Sequence, residues 1–217
     1  MRSIFILGCG TFGYHLARNI GDKAHLTVVD KDRERSQKIG PDVERAIVGD
    51  VTNKELLVDI GVEGADAVVV SMGENMEASI LATMHAHALG VQEIYVKASS
   101  DDHAAILELL GATRVIQPER ESAENLAVTI LDTAVFDFHR LHETLGLLEE
   151  SAPAEFWGKS LLELGLRRNY RVTVVAIFRD GDRRVNPQAE TVIREGDRLL
   201  LLGSDEDLAA YRAHEGT

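Results

Sequence analysis

Three glycines near the N-terminus are the residues of this chain best suited to bind a ligand. Gly8, Gly10 and Gly13 form a Gly-x-Gly-x-x-Gly motif directly after a short apolar run, and apolar residues then recur with helical spacing. The motif therefore lies at a turn from a strand into a helix. In such a turn the first glycine permits the bend, the second lets the backbone approach a pyrophosphate, and the third lets the helix pack on the strand.

The phosphates of a ligand are expected at the N-terminus of this helix, where backbone N–H groups and the helix dipole favour an anion. Thr11 and Phe12 lie between the second and third glycines and belong to the predicted binding loop. A glycine motif alone is a weak signal. Here a second apolar run, His25–Asp30, ends in an acid 17 residues after Gly13, close to the roughly 20-residue spacing of a ribose-binding carboxylate.

Asp30 is the predicted ribose ligand. Its carboxylate would accept hydrogen bonds from the 2′- and 3′-hydroxyls and repel a 2′-phosphate, so the sequence favours NAD or a plain adenine nucleotide over NADP. The positive charges of Lys31 and Arg33 slightly weaken this exclusion of NADP. We include Lys31 in the predicted site. The alternative is that Asp30 only caps a helix over residues 32–38.

The composition excludes several classes of protein. At 217 residues the chain is long enough for one α/β domain and a smaller one. Its formal net charge of −13 argues against nucleic acid and anionic membrane surfaces as partners. A single cysteine, Cys9, excludes internal disulfides and fits a reducing compartment. Without a signal peptide or an apolar stretch of roughly 18 residues, we expect a cytoplasmic protein that reaches a membrane only through a partner.

Up to about residue 118 the pattern alternates strands with helices. The predicted strands are 2–7, His25–Asp30, Arg45–Val48, Ala67–Ser71, Glu93–Lys97 and Thr113–Ile116. The predicted helices follow Gly13 and span 32–38, Glu55–Ile60, Glu77–Leu89, His103–Leu110 and, after the last strand, Glu121–Leu131. Because parallel strands need crossover connections, which are usually helical, this alternation predicts an α/β fold with a Rossmann-like, doubly wound parallel sheet.

Ligands of such sheets bind beyond the carboxyl ends of the strands, so the residues that follow the strands are candidates. After the third strand, Asp50 could accept a hydrogen bond from the adenine amino group, with Val51 beside it. The alternative is a turn aspartate that caps the next helix. After the fifth strand, Lys97 could reach phosphate oxygens, although a solvated lysine is the commoner outcome.

The turn after the fourth strand contributes three more candidates. Ser71, Gly73 and Asn75 lie in a small-residue stretch that would pass beneath the sugar or the phosphates. The alternative is that Ser71 and Glu74 form a capping box for the next helix.

The C-terminal part differs in character. Residues 135–148 are mixed in pattern, and we interpret them only as a connection. Beyond them the sequence predicts a short helix at Ser160–Leu164, a strand at Val172–Phe178, a hairpin turn at Arg179–Asp182, a strand at Leu199–Leu202 and a helix at Asp205–Arg212. Strands joined by tight turns predict a small α+β domain. We therefore predict two domains, at 1–134 and 135–217.

Candidate catalytic and metal-binding groups are few. His85 and His87 are two apart on one predicted helix and cannot face a common ligand. His139 and His142, with Asp137 nearby, could meet on a helical face but lack further ligand spacing. The sequence contains no nucleophile elbow, zinc motif or P-loop, so we predict no catalytic residue. A nucleotide site without catalytic signatures points to sensing.

Further motifs identify a family. In order they are Gly8–Gly13, Asp30, Gly49–Thr52, Asn75–Leu81, Tyr95–Ala98, Gln117–Arg120, Gly158–Leu164 and Ile193–Leu199. With these motifs the chain resembles, over essentially its whole length, the cytosolic RCK (KTN) regulatory subunits of Trk/Ktr potassium-uptake systems, which join a TrkA-N to a TrkA-C domain. The block 75–81 and the C-terminal motifs are more specific than the glycines.

The resemblance implies a gating subunit that is not an enzyme and that lies at the inner face of the cell membrane. Family members form homodimers that build an octameric ring beneath a separate membrane potassium-transporter subunit. Exchange of ATP for ADP, or of NADH for NAD, changes the shape of the ring. A nucleotide can do this only through unequal affinity for two ring conformations.

The resemblance also implies roles for single residues. The three glycines would hold the phosphates, Asp30 the ribose and Asp50 the adenine end, with Lys97 near the phosphates. Glu119 matches a family glutamate near the dimer interface, which in some members helps to hold a divalent cation, Mg²⁺ or Ca²⁺, beside the γ-phosphate of ATP. The alternative for Glu119 is an ordinary acid at a helix start.

Thr11 departs from the family pattern. In ATP-responsive Ktr subunits this position is commonly an arginine that reaches the terminal phosphates. Losing such a charge-assisted contact costs about 1.5–3 kcal/mol, so NAD(H), ADP or AMP gain weight as ligands. In some relatives the C-terminal domain binds cyclic di-AMP, and Arg167 and Asn169 fall in the corresponding stretch. The rival functions are an NAD-dependent oxidoreductase and a stand-alone nucleotide-binding protein.

Overall fold

The computed structural model of the chain describes residues 1–131, 135–142, 144–179 and 182–214. Contacts within the chain divide it into two compact units, Met1–Pro118 and Glu119–Thr217. The predicted domain boundary at 134/135 adjoins residues 132–134, which lie outside the described residues. That boundary stays a prediction.

The first unit is built on a six-stranded parallel sheet. Its strands are β1 (Ser3–Leu7), β2 (His25–Asp30), β3 (Arg45–Val48), β4 (Ala67–Val70), β5 (Ile94–Lys97) and β6 (Arg114–Ile116). The strand order is β3-β2-β1-β4-β5-β6, which is the order of a dinucleotide-binding Rossmann sheet. The predicted doubly wound parallel sheet is confirmed. Its order reverses between β1 and β4, where ligands of such sheets bind.

Helices connect successive strands of this sheet. They are α1 (Thr11–Ile20), α2 (Arg33–Ile39), α3 (Lys54–Asp59), α4 (Met76–Ala88) and α5 (Asp101–Leu109). Each of the last four is preceded by an N-cap residue whose side chain accepts hydrogen bonds from the first turn, namely Asp32, Asn53, Asn75 and Ser100. By contrast, α1 begins at Gly10 with no side-chain cap.

The sheet buries apolar side chains on both of its faces. In β1, Phe5 and Leu7 belong to one hydrophobic cluster and Ile6 to another. In β4, Val68 belongs to the first cluster and Val69 to the second. This division follows from the alternation of strand side chains between the two faces. Each such fully buried side chain contributes roughly 1.5–3 kcal/mol to folding, which holds the strand ends in fixed positions.

The second unit contains a five-stranded sheet of order β10-β9-β11-β8-β7, in which neighbouring strands are antiparallel. The strands are β7 (Val135–His142), β8 (Leu145–Ser151), β9 (Thr173–Arg179), β10 (Asp182–Val185) and β11 (Arg198–Ser204). The helices are α6 (Pro118–Leu131), which begins at the last residue of the first unit, α7 (Leu161–Leu164), α8 (Leu166–Tyr170) and α9 (Asp205–His214). The predicted small α+β domain is confirmed.

The interpretation of residues 135–148 as a connection is wrong, because β7 and the start of β8 occupy them as paired strands. The pairing register shifts twice along β7, and such irregularities break the two-residue alternation that reveals a strand. His139 and His142 lie on this strand and therefore share no helical face. Residues 180–181 of the predicted turn lie outside the described residues, while Arg179 pairs with Asp182 across β9 and β10.

Among the described residues, no helix combines the length and the apolar composition of a membrane span. Nor do these residues contain a group of three or more histidine, cysteine, aspartate or glutamate side chains that could hold a metal ion.

The second unit encloses a buried ion pair. The side chain of Asp197 is 0% exposed and accepts hydrogen bonds from Arg179 Nε at 2.5 Å and Nη2 at 2.6 Å. It also accepts the backbone N–H of Arg194 at 2.8 Å. Burial raises the pKa of Asp197, but the hydrogen bonds from Arg179 and Arg194 outweigh burial and hold it below its ordinary value.

We expect Asp197→Asn to lower the free energy of unfolding of the second unit by about 3–5 kcal/mol at neutral pH, because it leaves the Arg179 charge buried without its partner. A carboxylate whose folded pKa is depressed stabilises above its unfolded pKa of about 3.9, and this contribution is lost as the pH falls through the folded pKa. The difference between the two proteins should therefore shrink below about pH 4. Trp157, the one tryptophan of the sequence, reports urea unfolding of this unit by fluorescence.

Glu149→Gln is the control. Glu149 pairs with Arg198 at 2.7 Å, and the Arg198 side chain is 43% exposed, so this substitution should cost less than about 1 kcal/mol. Equal losses in the two variants would contradict the role of burial.

Candidate nucleotide site

Two glycines of the β1–α1 loop are required by the protein itself. Gly8 has a φ of +99°, and a Cβ there would stand 2.6 Å from Met72 Cγ, so no other residue fits without strain. A Cβ at Gly13 would overlap the carbonyl oxygen of Gly8 and stand 2.6 Å from Ser71 Oγ. Gly13 thus allows α1 to pack closely against the end of β1.

Gly10 has no such internal requirement. Its φ of −67° and ψ of −172° are open to any residue. Apart from its neighbours in the chain, the nearest described atom to a Cβ at Gly10 would be Arg35 Nη1, at 4.0 Å. The space above Gly10 is therefore open toward a ligand, as expected of a glycine that lets a pyrophosphate approach the backbone.

Ser71 ties this loop to the end of β4. Its hydroxyl donates a hydrogen bond to the carbonyl oxygen of Gly8 at 2.6 Å, across the point where the strand order reverses. Asn75, not Ser71, caps α4, because its side chain accepts the N–H of Ala78 at 3.1 Å. The alternative of a capping box formed by Ser71 and Glu74 is wrong.

Asp30 ties the loop to the start of α2. The side chain accepts the N–H of Cys9 at 2.5 Å and the N–H of Asp32 at 2.8 Å, and the residue is 7% exposed. Asp32 caps α2 by accepting the N–H of Glu34 at 2.8 Å, so the alternative of Asp30 as a cap is wrong. A carboxylate has about four lone-pair positions, and about two remain for ribose hydroxyls.

Cys9 fills the interior of the turn. It is 4% exposed and packs in the cluster that contains Ile6 and Ala17. Burial is the larger cause and the Asp30 carboxylate the smaller cause of a raised pKa of the thiol. Because a nucleophilic cysteine needs its thiolate, Cys9 is better suited to packing than to chemistry.

Asp50 follows β3, and its carboxylate accepts the N–H of Thr52 at 3.0 Å and the Thr52 hydroxyl at 2.7 Å. These hydrogen bonds lower the pKa of Asp50, so the side chain is ionised at neutral pH. Asn53 caps α3, so the capping alternative for Asp50 is wrong. Val51 is buried. His85 Nε2 lies 3.2 Å from the carbonyl oxygen of Thr52 and fastens this turn to α4, a role that the sequence did not reveal.

Lys97 ends β5 beside the turn that follows β4. A Cβ at Gly73 would stand 3.2 Å from Lys97 Cγ and 3.3 Å from the Lys97 carbonyl oxygen. The glycine therefore allows the lysine stem to lie against the turn. Lys97 is half-buried, and the choice between a phosphate contact and a solvated lysine stays open.

The remaining predicted residues lie at different places. Thr11 is exposed in the first turn of α1, and half-buried Phe12 packs with the cluster around Ile6. Lys31 is exposed directly after β2. Glu119 is exposed in the first turn of α6, in the second unit.

Hydrogen bonds and close packing thus join the ends of β1, β2 and β4 into one edge, with β3 and β5 ending beside it. The roles of these residues as ligand contacts stay predictions. Sequence reasoning missed Arg35, which lies beside Gly10. Its position three residues after the cap Asp32 was the available signal.

The fold and the loop geometry define a class: a Rossmann-type domain followed by a small α+β domain. Family models specify the class further, since the TrkA-N domain matches residues 4–118 and the TrkA-C domain matches residues 148–216. The chain belongs to the TrkA-N/TrkA-C family, as its motifs predicted.

Relatives cover nearly the whole chain. It is 33% identical to Ktr system potassium uptake protein C of Bacillus subtilis (strain 168), over 95% of this chain and 94% of that protein. It is 30% identical to Ktr system potassium uptake protein A of Vibrio alginolyticus, over 94% of this chain and 93% of that protein. The solved structure "GsuK channel bound to NAD" has the same fold, with a TM-score of 0.70 and 21% identity. The match covers 100% of this chain but 40% of the GsuK chain.

We expect Gly13→Ala to lower the free energy of unfolding by about 2–3 kcal/mol, because the added methyl group overpacks the loop against Gly8 and Ser71. Gly10→Ala is the matched control and should cost no more than about 1 kcal/mol, the ordinary cost of alanine at a helix N-cap. Thermal unfolding followed by circular dichroism, without nucleotide, measures both. Similar losses in the two variants would contradict the conclusion that packing within the protein requires a glycine at position 13 but not at position 10.

Proposed function

We propose that this protein is a regulatory subunit of a potassium-uptake system, which binds an adenine nucleotide and couples the identity of that nucleotide to its own conformation. The observation that carries the proposal is its similarity to Ktr system potassium uptake proteins, at 28–33% identity over 94–95% of this chain. The site geometry supports the nucleotide part of the proposal.

The nucleotide is assigned along the edge formed by the strand ends. Its phosphates lie over Gly10, where the backbone is open and the N-terminus of α1 carries no side-chain cap, so backbone N–H groups face an anion. The ribose hydroxyls donate to Asp30, and the adenine amino group donates to Asp50. Lys97 contributes a positive charge near the phosphates.

The other predicted contacts complete this assignment. Thr11, Phe12 and Lys31 border the loop, and Val51 and Gly73 shape the turns beneath the ligand. Ser71 and Asn75 act through the protein: one holds the carbonyl of Gly8 and the other caps α4.

A divalent cation at Glu119 is a separate proposal. Mg²⁺ and Ca²⁺ take six or more oxygen ligands, so one exposed carboxylate needs oxygens from the nucleotide and from a second subunit.

Regulation requires unequal affinity for two conformations, because a nucleotide that binds both equally shifts neither. We propose that the conformations belong to a homodimer, assembled into a ring against a membrane transporter subunit. Leu126 and Ile130, four apart on α6, are 57% and 69% exposed and supply an apolar face for self-association. We infer that the protein is not an enzyme, since a TrkA-C domain takes the place of a dehydrogenase's substrate domain.

At least one of ATP, ADP, NAD and NADH should raise the melting temperature, because a ligand of the native state stabilises by mass action, by about 2.7 kcal/mol at one hundred times its dissociation constant. Thermal shift with and without Mg²⁺ measures this effect. Where ADP binds, it should stabilise more than 2′-deoxy-ADP, which lacks one of the hydroxyls assigned to Asp30.

Asp30→Asn should remove that difference between ADP and 2′-deoxy-ADP. The two nucleotides are compared within each variant. Any weakening of the hydrogen bonds that residue 30 accepts from Cys9 and Asp32 therefore affects both nucleotides equally. A difference that persists in the variant would contradict the ribose assignment. A protein that none of the four nucleotides stabilises would contradict the proposed function.

The chain should co-purify in detergent with a Ktr-type membrane subunit, and nucleotide exchange should change potassium flux through the reconstituted complex. Gly10→Ala should still co-purify but lose most of the nucleotide response, because its methyl group occupies the space assigned to the phosphates. Failure to co-purify would contradict the partner assignment, and an unaltered response in the variant would contradict the phosphate assignment.

A further inference from the structure

The glycine loop carries no cation of its own for the phosphates assigned to it. The side chains between Gly8 and Gly13 are those of Cys9, Thr11 and Phe12. Backbone N–H groups at the start of α1 are neutral dipoles, and arginine binds phosphate more strongly because its donors are charged and paired. A cation for this loop must therefore come from another element.

Arg35 brings a cation to the loop from α2. Its Nη1 lies 4.0 Å from the point where a Cβ on Gly10 would stand, and among the described residues outside the immediate chain neighbours of Gly10 no other atom lies as close. The guanidinium thus borders the open space above the glycine that we assign to the pyrophosphate.

A helix cap and an ion pair place Arg35 at the start of α2, where its side chain is 56% exposed. The Asp30 carboxylate joins the N–H of Cys9 in the loop to the N–H of Asp32 at the start of α2. Asp32 accepts the backbone N–H of Arg35 at 3.3 Å, and its other oxygen lies 3.5 Å from Arg35 Nε. Loop, strand end and helix start are therefore one connected unit.

The charge of Arg35 is also felt inside the loop. Burial is the largest cause of the raised pKa of Cys9, followed by the Asp30 carboxylate, and Arg35 acts in the opposite direction on the same thiol. Lys38 has a smaller effect of the same sign. At Cys9, Arg35 and Lys38 therefore act against the negative charge of Asp30. Cys9 precedes Gly10, where bound phosphates would add further negative charge.

We propose that Arg35 is a phosphate-binding cation of this site, in addition to Lys97, and sets its preference for nucleotides with a diphosphate. The inference rests on the proposed nucleotide site and names a residue of that site. With Nε turned toward Asp32, the guanidinium presents its two Nη groups to phosphate oxygens, the fork geometry in which arginine binds phosphate. Because the backbone it borders is that of Gly10, the assignment is to the pyrophosphate and not to a ribose 2′-phosphate.

Titration calorimetry on the full chain with adenosine, AMP, ADP, NAD and NADP tests this assignment. Arg35→Gln should weaken ADP and NAD by about 10–100-fold, the range of a lost hydrogen bond to a charged group, and leave adenosine unchanged. Arg35→Lys keeps the charge without the fork and should fall between. Arg33→Gln is the matched control, since Arg33 is exposed on the same helix and its loss changes the net charge equally.

Each other outcome would overturn the assignment. Equal weakening by Arg35→Gln and Arg33→Gln would show a general effect of surface charge. A similar loss for adenosine would show a structural role of Arg35, and a selective loss of NADP would place Arg35 at the 2′-phosphate. If the unsubstituted protein binds none of the nucleotides, the proposed function itself fails; if it binds them and Arg35→Gln binds equally well, only this inference fails.

Discussion

A single carboxylate connects the parts of the candidate site. Asp30 accepts backbone N–H groups from the glycine loop and from the start of α2 while it is almost fully buried. Hydrogen bonds to a charged group contribute roughly 1.5–3 kcal/mol each, so these two bonds resist separation of the loop from the helix. The same residue is the proposed ribose ligand. An acid suits this position for the structure of the loop, and the proposed recognition of the ribose would depend on the same side chain.

The hydrogen bond from Ser71 to Gly8 complements that of Asp30 on the other side of β1. Together they anchor the loop to the strands that flank β1, at the point where the order of the sheet reverses. Contacts within the first unit thus position the backbone of the loop. A site that is already formed spends less of its binding free energy on ordering the protein. That property suits a sensor, whose response depends on small differences between similar nucleotides.

Both units bury apolar side chains, and the second unit adds a buried ion pair. The parallel sheet is buried on both faces by near-continuous apolar strands, as parallel sheets generally are. The antiparallel sheet of the second unit encloses the ion pair of Asp197 with Arg179. This pair also holds a loop in place, because Asp197 accepts the N–H of Arg194 and Arg179 donates to the carbonyl oxygen of Val192.

The sequence by itself determined the doubly wound parallel sheet, the glycine loop and the acid at the end of β2. Turn glycines and hydrophobic periodicity are local properties of the chain and can be read without the tertiary structure. It also determined the family, through motifs spread over the whole length. It did not reveal β7, whose alternation is interrupted by register shifts. Nor could it choose between ligand and cap for Asp30, Asp50 and Ser71, since both readings use the same residue type at the same turn.

Only the tertiary structure excluded the capping alternatives, by showing which donors each oxygen accepts or which acceptor each hydroxyl reaches. The roles of these residues as ligand contacts stay predictions. The tertiary structure also showed that Gly8 and Gly13 leave no room for a Cβ, whereas Gly10 does. The space around a backbone atom is set by residues distant in sequence, such as Ser71 and Met72. The position of Arg35 beside Gly10 likewise depends on residues that are distant in sequence. Spacing along a chain predicts which residues can meet a ligand, but the distances that decide their roles arise from packing between elements.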